Sequence, residues 1–315
     1  MINFAPVLIC TLNRYEHFKL CIQSISACTN ADKTDIFIAL DYPLKDYHLL
    51  GYEKIKKYIP FITGFNTVTI IERKRNFGSE NNFSKLVESV FIKYDRVIII
   101  EDDNVFSPSF LDFVNKGLHE FEKDPLVIAI CGYKFPFEVP ASFPHSYFYS
   151  KSFSGWGFGA WRDKYMHYRW NDDFIKEVIR YLHKPSKALL IDSYQYGFLN
   201  GLMNVVKTGN LKGDRMYCIS NILNGTYCVF PTVSKVRNTG HDGSGVHCTK
   251  MEGSSNIFIN QVIDSESEFN YSLHFEYENK FVAEALKKHF LEYNKLKIYH
   301  KMILLFRYFT FLIKY

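Results

Sequence analysis

Three consecutive carboxylates, Glu101, Asp102 and Asp103, are the residues whose types and spacing could most clearly do chemistry. Adjacent anions repel one another, and a hard divalent cation such as Mn²⁺ or Mg²⁺ would relieve the repulsion because it prefers oxygen ligands. The apolar run 97–100 precedes them and predicts a strand buried on both faces of a parallel sheet. Ligands of open α/β sheets bind beyond the carboxyl ends of such strands. The triplet therefore predicts a metal-assisted site, with a plain acidic turn as the alternative.

Polar residues also follow each of the strands predicted before the triplet. These strands are predicted at 6–12, 35–40 and 68–72, with helices between them. The polar residues at their ends are Asn13, Arg14, Asp41, Asn76 and Gly78. Right-handed crossovers bring such ends to one edge of a parallel sheet, which is the layout of a nucleotide-binding cleft. Each residue alone could be a surface charge or a turn former, so the prediction depends on their joint placement.

Segment 154–161 alternates glycines with large aromatic residues, among them Gly157 and Trp156. Glycine lets a backbone approach a ligand closely, and the face of a tryptophan suits the apolar face of a sugar ring. The segment therefore predicts part of a sugar-binding surface. A tight aromatic corner of the hydrophobic core would explain the same composition.

Loop 238–248 is the second glycine-rich segment and contains His241, Asp242 and His247 among small residues. Successive backbone amides in such a loop can bind an anion, and a neutral imidazole can bind a metal ion. The loop therefore predicts a cover over a phosphate or a metal-bound phosphate. His247 is the candidate ligand, although a single histidine is more often structural.

The composition limits the class of protein. The chain has 315 residues, 47% of them hydrophobic, and a net charge of +5, which suits anionic ligands or an anionic membrane surface better than dedicated nucleic-acid binding. Seven cysteines without a C-x-x-C pair predict free thiols in a reducing cytosol. The sequence shows neither a secretory signal nor an uncharged apolar run of about 18 residues, so a cytoplasmic location is expected.

The C-terminal region is both apolar and basic. Residues 295–315 contain two apolar runs, 302–306 and 308–313, which are punctuated by lysines and an arginine. Such a segment predicts an interfacial helix on the anionic inner face of a membrane, or else a helix docked on the catalytic domain or on a partner subunit. We accordingly divide the chain into a domain at 1–250 and an extension at 251–315.

Taken in order, these motifs resemble the GT-A glycosyltransferases, most closely N-acetylglucosaminyltransferase I and the bacterial sugar transferases related to it. Segment 6–14 resembles the family's first strand, and 101–103 resembles its metal motif. The resemblance covers about residues 5–250. It implies an α/β fold with a Rossmann-like sheet, in which a βαβ nucleotide half at 1–105 is followed by a mixed acceptor half at 106–250 and a C-terminal helical tail.

The resemblance also implies an activity and assigns roles. It implies metal-dependent, inverting transfer of a hexosyl or N-acetylhexosaminyl group from a nucleoside diphosphate, by preference UDP, to a glycan or lipid-linked acceptor, as in bacterial surface polysaccharide synthesis. Asp214 would be the catalytic base, with Asp172 and Asp173 as alternatives. Mn²⁺ or Mg²⁺ would bind Asp103 and His247. The donor-binding residues that it implies are Asn13, Arg14, Asp41, Asn76, Gly78, Glu101, Asp102, Trp156 and Gly157.

Other functions stay open at this point. A sugar nucleotidyltransferase also combines an α/β sheet with a carboxylate-held metal, but it would need a glycine-rich, lysine-bearing loop that residues 11–20 lack. A non-catalytic partner subunit would bind nucleotide or sugar without turnover. A retaining transferase is also open, because residues alone do not display stereochemistry.

Overall fold

The computed structural model describes residues 4–167, 172–195, 197–209, 214–245, 257–264, 269–271, 276–293 and 298–315. The strands of this part are β1 (Val7–Thr11), β2 (Asp35–Leu40), β3 (Thr67–Glu72), β4 (Arg96–Glu101), β5 (Asn104–Phe106), β6 (Val127–Cys131), β7 (Tyr147–Ser150), β8 (Phe158–Trp161), β9 (Tyr227–Pro231) and β10 (Val236–Asn238). Its helices are α1 (Tyr15–Ser26), α2 (Asp46–Tyr58), α3 (Ser79–Val90), α4 (Phe110–Glu120), α5 (Arg162–His167), α6 (Asp172–Leu182), α7 (Pro185–Ala188), α8 (Phe198–Thr208), α9 (Asp214–Asn224), α10 (Lys280–Tyr293) and α11 (Ile298–Lys314).

Eight of the described strands form one sheet in the order β3-β2-β1-β4-β8-β6-β9-β7. Strands β3, β2, β1 and β4 are parallel, as their separation by helices predicts. The second half is mixed, because β8 inserts antiparallel between β4 and β6, and β7 lies antiparallel to β9. The predicted α/β fold class, a Rossmann-like nucleotide half followed by a mixed half, is confirmed.

Strand β4 is buried on both faces, as its β-branched run predicts. Ile98 and Ile100 point into one apolar cluster together with the buried face of α1, whereas Val97 and Ile99 point into a second cluster on the other face. This alternation follows from the two-residue period of a strand. The strand is thus held rigidly, and its carboxyl end places Glu101 and the two aspartates after it at a fixed edge of the sheet.

A two-stranded ribbon, which the sequence did not predict, lies beyond that edge. Strand β5 pairs antiparallel with β10, so that Asn104 faces Asn238. Because Ser107 N–H also donates to the Lys235 carbonyl, the extended backbone continues past β5. Ser107 and Pro108, residue types that are common at a helix start, therefore do not begin a helix here, and α4 begins at Phe110. The ribbon brings loop 238–245 next to the acidic triplet.

The region after residue 250 packs in part on the main sheet. Tyr271 is buried, and its hydroxyl donates to the Phe113 carbonyl at 3.1 Å. Val282 and Leu286 of α10 belong to the second apolar cluster. The boundary between a domain at 1–250 and an extension at 251–315 stays a prediction. In the described part of the chain, no helix has the length and apolarity needed to cross a membrane.

Candidate functional site

Arg14 joins the acidic triplet to the end of β1. One of its terminal nitrogens donates to Asp103 Oδ2 at 2.8 Å and the other donates to Asp102 Oδ1. Thr11 Oγ1 donates to Asp102 Oδ2 at 2.9 Å. Burial alone would lower the pKa of Arg14, but the two carboxylates outweigh it and raise that pKa. Each carboxylate oxygen of Asp102 thus accepts a hydrogen bond from the protein, and these bonds position Arg14 and β1.

Asp103 is held from three sides. Its Oδ1 accepts hydrogen bonds from Asn238 at 2.8 Å and Asn104 at 3.3 Å, and its Oδ2 accepts the bond from Arg14. Its backbone carbonyl accepts two further bonds, from the backbone N–H and the hydroxyl of Thr239. A carboxylate offers about four acceptor sites, so these bonds leave room for one more partner on the side chain.

Gly240 lies against that carboxylate. A Cβ at this position would lie 2.0 Å from Asp103 Oδ2 and 3.2 Å from a terminal nitrogen of Arg14. Only glycine therefore lets loop 238–245 close over the triplet. The loop is also fastened to α1, where His17 Nε2 lies 2.9 Å from Asp242 Oδ2 and His17 Nδ1 lies 3.1 Å from Thr239 Oγ1.

Negative charge exceeds positive charge at this edge of the sheet. Glu101 is exposed to the cleft, yet the loss of bulk water around it and the charges of Asp103 and Asp214 raise the pKa of its carboxyl well above the usual value. Burial likewise raises the pKa of Asp102, although Arg14 opposes it. Such a set of hard oxygen donors fits a divalent cation.

The described residues do not contain a cluster of three or more histidine, cysteine or acidic side chains arranged to enclose a metal ion. A closed protein cage is not what a nucleotide site requires, because Mg²⁺ in such sites is held by one or two carboxylates together with substrate phosphates and waters. Asp103, with its remaining acceptor site, and the exposed Glu101 would be the ligands. His247, the other predicted ligand, lies outside the described residues.

Asp41 forms the second polar centre of the edge. It is buried, and its Oδ1 accepts the backbone N–H groups of Tyr42 and Phe77, each at 2.9 Å. Asn76 Nδ2 donates to the Tyr42 carbonyl at 2.6 Å, which ties the loop after β3 to the end of β2. Gly78, at φ +74°, is the N-cap residue directly before α3. The carboxylate of Asp41 keeps Oδ2 for a further donor.

Asp214 stands in the first turn of α9, close enough to Glu101 for their charges to interact. Its Oδ2 accepts the Gly155 N–H at 3.2 Å, and a Cβ on Gly155 would lie 2.8 Å from its Oδ1. Burial raises the pKa of Asp214 to about 6, although Gly155 and Arg215 oppose the shift. A carboxyl that titrates close to neutrality can accept a proton and release it again.

Aromatic rings line the space between Asp214 and the glycine loop. Trp156 is half-buried and lies edge-on to Tyr133, His241 and Phe258, and the ring of His241 stacks on Phe258 at 4.1 Å. Gly157 follows Trp156 and has a φ of +72°, which favours glycine. A Cβ at this position would press against Val236, Phe106 and Phe110, so the packing of the core requires glycine here. The donor-binding roles predicted for Trp156 and Gly157 stay predictions.

The structure gathers Arg14, Asp41, Asn76 and the acidic triplet at one edge, as the strand ends predicted. Asn13 belongs to the same edge, where its carbonyl is so close to α2 that a Cβ on Gly51 would overlap it. The side chains of the alternative bases, Asp172 and Asp173, lie outside the described residues. Sequence reasoning missed His17. The only signal that could have indicated it was its position about one helical turn after Arg14.

None of the known protein-family models matches the chain, and none of the curated proteins does. Among solved structures it is similar to the mannosyltransferase PcManGT from Pyrobaculum calidifontis in complex with GDP-Man and Mn²⁺, with 15% identity, a TM-score of 0.36, and coverage of 50% of this chain and 44% of that chain. S. aureus TarS has 9% identity, a TM-score of 0.34, and coverage of 49% of this chain and 28% of that chain. Its segment 1–349 has 12% identity, a TM-score of 0.33, and coverage of 50% of this chain and 47% of that chain. The matched part spans less than half of each of these chains, and the resemblance to N-acetylglucosaminyltransferase I stays a prediction.

Proposed function

We propose that the protein is a metal-dependent, inverting glycosyltransferase. It transfers a hexosyl or N-acetylhexosaminyl group from a nucleoside diphosphate, by preference UDP, to a hydroxyl of a glycan or lipid-linked glycan in surface polysaccharide synthesis at the cytoplasmic side of a membrane. One observation carries the proposal: a fixed carboxylate cluster at the carboxyl ends of parallel strands faces a second, separately positioned carboxyl group with a raised pKa.

Departure of a nucleoside diphosphate requires stabilisation of the negative charge that grows on its phosphate oxygens. A divalent cation bound at Asp103 and Glu101 would supply this charge stabilisation as a Lewis acid. Arg14 contributes positive charge at the same place and holds both aspartates in position. Asn238 holds the Asp103 carboxylate and Thr239 holds the Asp103 backbone carbonyl before substrate arrives, so little reorganisation is needed on binding.

The acceptor hydroxyl must lose its proton as it attacks the sugar. Asp214 can take this proton, because its carboxyl is held by the Gly155 N–H and its pKa of about 6 leaves it ionised near neutral pH. A base that is separate from the leaving-group site suits attack on the face opposite the diphosphate, which inverts the anomeric centre. Trp156, half-buried between this base and the loop, would present its ring to a sugar.

The base of the nucleotide would be recognised at Asp41. Its Oδ2 is an acceptor beside the two bonds made by Oδ1, so it suits a base that offers an N–H on its pairing edge. Uracil offers its imide N–H there, whereas cytosine presents an unprotonated nitrogen. Guanine also offers an N–H, which makes GDP the informative competitor.

The donor site is tested by thermal unfolding of the protein with UDP, GDP, CDP and ADP, each in Mn²⁺ and in EDTA. Ligand at 100 times its Kd stabilises the native state by about 2.7 kcal/mol, so we expect UDP with Mn²⁺ to raise Tm by several degrees and UDP with EDTA to raise it much less. Asp103→Ala should remove the Mn²⁺-dependent part of the shift.

Asp32→Ala is the matched control, since it removes an exposed carboxylate from a 3-10 turn before β2, at the opposite ends of the strands. It should leave the shift unchanged. If no nucleotide raises Tm in the presence of Mn²⁺, the transferase proposal is wrong and the triplet is an acidic turn. If GDP raises Tm more than UDP, the activity stands and the donor preference is corrected.

The rate of transfer should depend on pH through Asp214. Because the base acts when ionised and its pKa is about 6, kcat should fall about tenfold per unit below pH 6 and level off above pH 7. The measurement is a pH profile of kcat at saturating donor, with nucleotide affinity followed over the same range. A kcat that does not change between pH 5 and pH 8 would exclude Asp214 as the titrating base.

A further inference from the structure

Helix α11 is anchored to the domain by one of its faces. Tyr308 is buried and its hydroxyl donates to the Leu182 carbonyl at the end of α6 at 2.5 Å. Phe311 is buried in the same apolar cluster, and Leu304 packs against it. Arg307 reaches Asn200 of α8 at 3.4 Å. The predicted docking of the tail on the domain therefore accounts for this face.

The opposite face of α11 is also apolar, and it is exposed. Met302, Phe306, Phe309 and Ile313 recur at the spacing of one helical stripe, and Phe306 and Ile313 are 74% and 88% exposed. At about 100° per residue, this stripe lies roughly 180° from the stripe formed by Tyr308 and its neighbours. A helix that only docks on a domain presents polar residues to water on its outer side. The outer stripe of α11 instead needs an apolar partner.

The charges around the stripe indicate what the partner is. From residue 295 to residue 315 the chain has five lysine or arginine residues and no aspartate or glutamate. Arg307 and Lys314 are exposed and, by their helical angles, lie on one side of the helix between the stripe and the packed face. An apolar face flanked by cations matches the interface of an anionic bilayer, where apolar side chains enter the acyl boundary and cations meet the headgroups.

A second copy of the chain fits this face less well. In a two-fold dimer the same patch meets itself, so the basic flanks of the two helices would face each other. No acidic residue of α11 could compensate them, since the helix contains none. A spanning arrangement would place Arg307, which stands between the two apolar runs of α11, inside the hydrocarbon core, where an unpaired charge is costly.

We propose that the outer stripe of α11, Met302–Phe306–Phe309–Ile313, docks the protein on an anionic lipid surface with the helix lying in the plane of the interface. The inner face of the helix stays packed on α6 and α8, so the membrane holds the folded domain directly rather than through a flexible linker. The docking does not depend on the proposed function. Its consequence, that the cleft is brought to lipid-linked acceptors, does.

The test is co-sedimentation of the full chain with vesicles of phosphatidylcholine alone and of phosphatidylcholine with phosphatidylglycerol. We expect binding to the anionic vesicles and little to the neutral ones. Phe306→Gln with Ile313→Gln should weaken this binding by at least about tenfold, because it removes two side chains from the apolar face that enters the membrane. Lys314→Gln should weaken it about fivefold, the contribution of one cation near an anionic surface.

Leu50→Gln with Phe61→Gln is the matched control, because these two apolar side chains are 72% and 76% exposed but belong to α2 and the 3-10 turn after it. This variant should bind anionic vesicles as the wild type does. Equal Tm values and equal nucleotide shifts in all variants show that the fold and donor site are intact, which separates this proposal from the proposed function.

Three results would overturn the proposal: no binding to anionic vesicles, equal binding to neutral ones, or unchanged binding of the α11 double variant. A concentration-dependent dimer that this double variant abolishes, without any vesicle binding, would assign the stripe to a second copy instead.

Discussion

Replacement of Asp214 by asparagine is expected to lower kcat by about 10²–10⁴-fold, the usual contribution of a general base. Asparagine cannot accept the proton of the acceptor hydroxyl, but its oxygen can still accept the Gly155 N–H bond that holds residue 214 in place. The affinity for the donor nucleotide should change less than twofold, because Asp103 and Asp41 are untouched. Single-turnover rates and calorimetric titration with UDP and Mn²⁺ measure the two quantities.

The same variant has a predicted signature in stability. Because folding raises the pKa of Asp214 from 3.8 to about 6, the ionised carboxylate destabilises the native state at all pH values above about 6, and this cost disappears near pH 4. Asp214→Asn should therefore raise Tm at pH 7.5 and change it little at pH 4. A gain in stability together with a loss of rate is the pattern of a catalytic group, not of a damaged fold.

Asp163→Asn is the matched control, since Asp163 also lies in the first turn of a helix, α5, but is exposed. It should change neither kcat nor Tm. If Asp214→Asn keeps the wild-type rate, the base is elsewhere and Asp172 or Asp173 becomes the candidate. If rate and nucleotide affinity fall together, Asp214 positions the donor and is not the base.

The sequence predicts the nucleotide half well because its signals are local. The run 97–100 alternates between two apolar clusters in the structure, and each parallel strand is followed within a few residues by its polar group. Asp41 N–H donates to the Thr11 carbonyl and Arg73 N–H donates to the Leu40 carbonyl, so neighbouring strand ends meet directly. Crossover rules are sufficient to predict such contacts.

The remainder of the site depends on contacts between distant parts of the chain. The bond from Asn238 to Asp103 joins residues 135 positions apart, and His17 meets Asp242 across 225 positions. Strands β5 and β10 have three residues each, which is too short for a reliable periodicity. The sequence could therefore single out loop 238–248 as a candidate site segment, but it could not indicate that the first residues of the loop hold the Asp103 carboxylate.

Helix α9 was missed for a related reason. A helix begins at Asp214 and runs to Asn224, where none was predicted. Its buried residues are consecutive, from Tyr217 to Asn221, because the helix is covered on most of its circumference, so it lacks the usual amphipathic pattern. The first turn of this buried helix places the Asp214 carboxylate against Gly155, whose N–H donates to its Oδ2.

Gly240→Ala should weaken UDP binding in Mn²⁺ by about 10–100-fold, the usual effect of disturbing a residue that supports a metal ligand. The added Cβ would lie 2.0 Å from Asp103 Oδ2, so the carboxylate and Arg14 must move apart from loop 238–245. Contacts to the uracil at Asp41 belong to other strands and should survive. UDP affinity in EDTA, where the metal contributes nothing, should therefore be the same in the variant and the wild type. Calorimetry in the two buffers makes the comparison.

Gly201→Ala is the control for the change itself, since the nearest atoms to its Cβ belong to the side chain of Arg215, which is exposed and can move, and alanine favours the interior of α8. It should leave both affinities unchanged. Equal loss of affinity in Mn²⁺ and in EDTA for Gly240→Ala would mean that the loop contacts the nucleotide itself. Wild-type affinity in both buffers would place the cation away from Asp103, because an added Cβ 2.0 Å from Asp103 Oδ2 forces the carboxylate or the loop that holds it to shift. The dependence on Mn²⁺, rather than the affinity alone, thus decides whether the acidic triplet is a metal site.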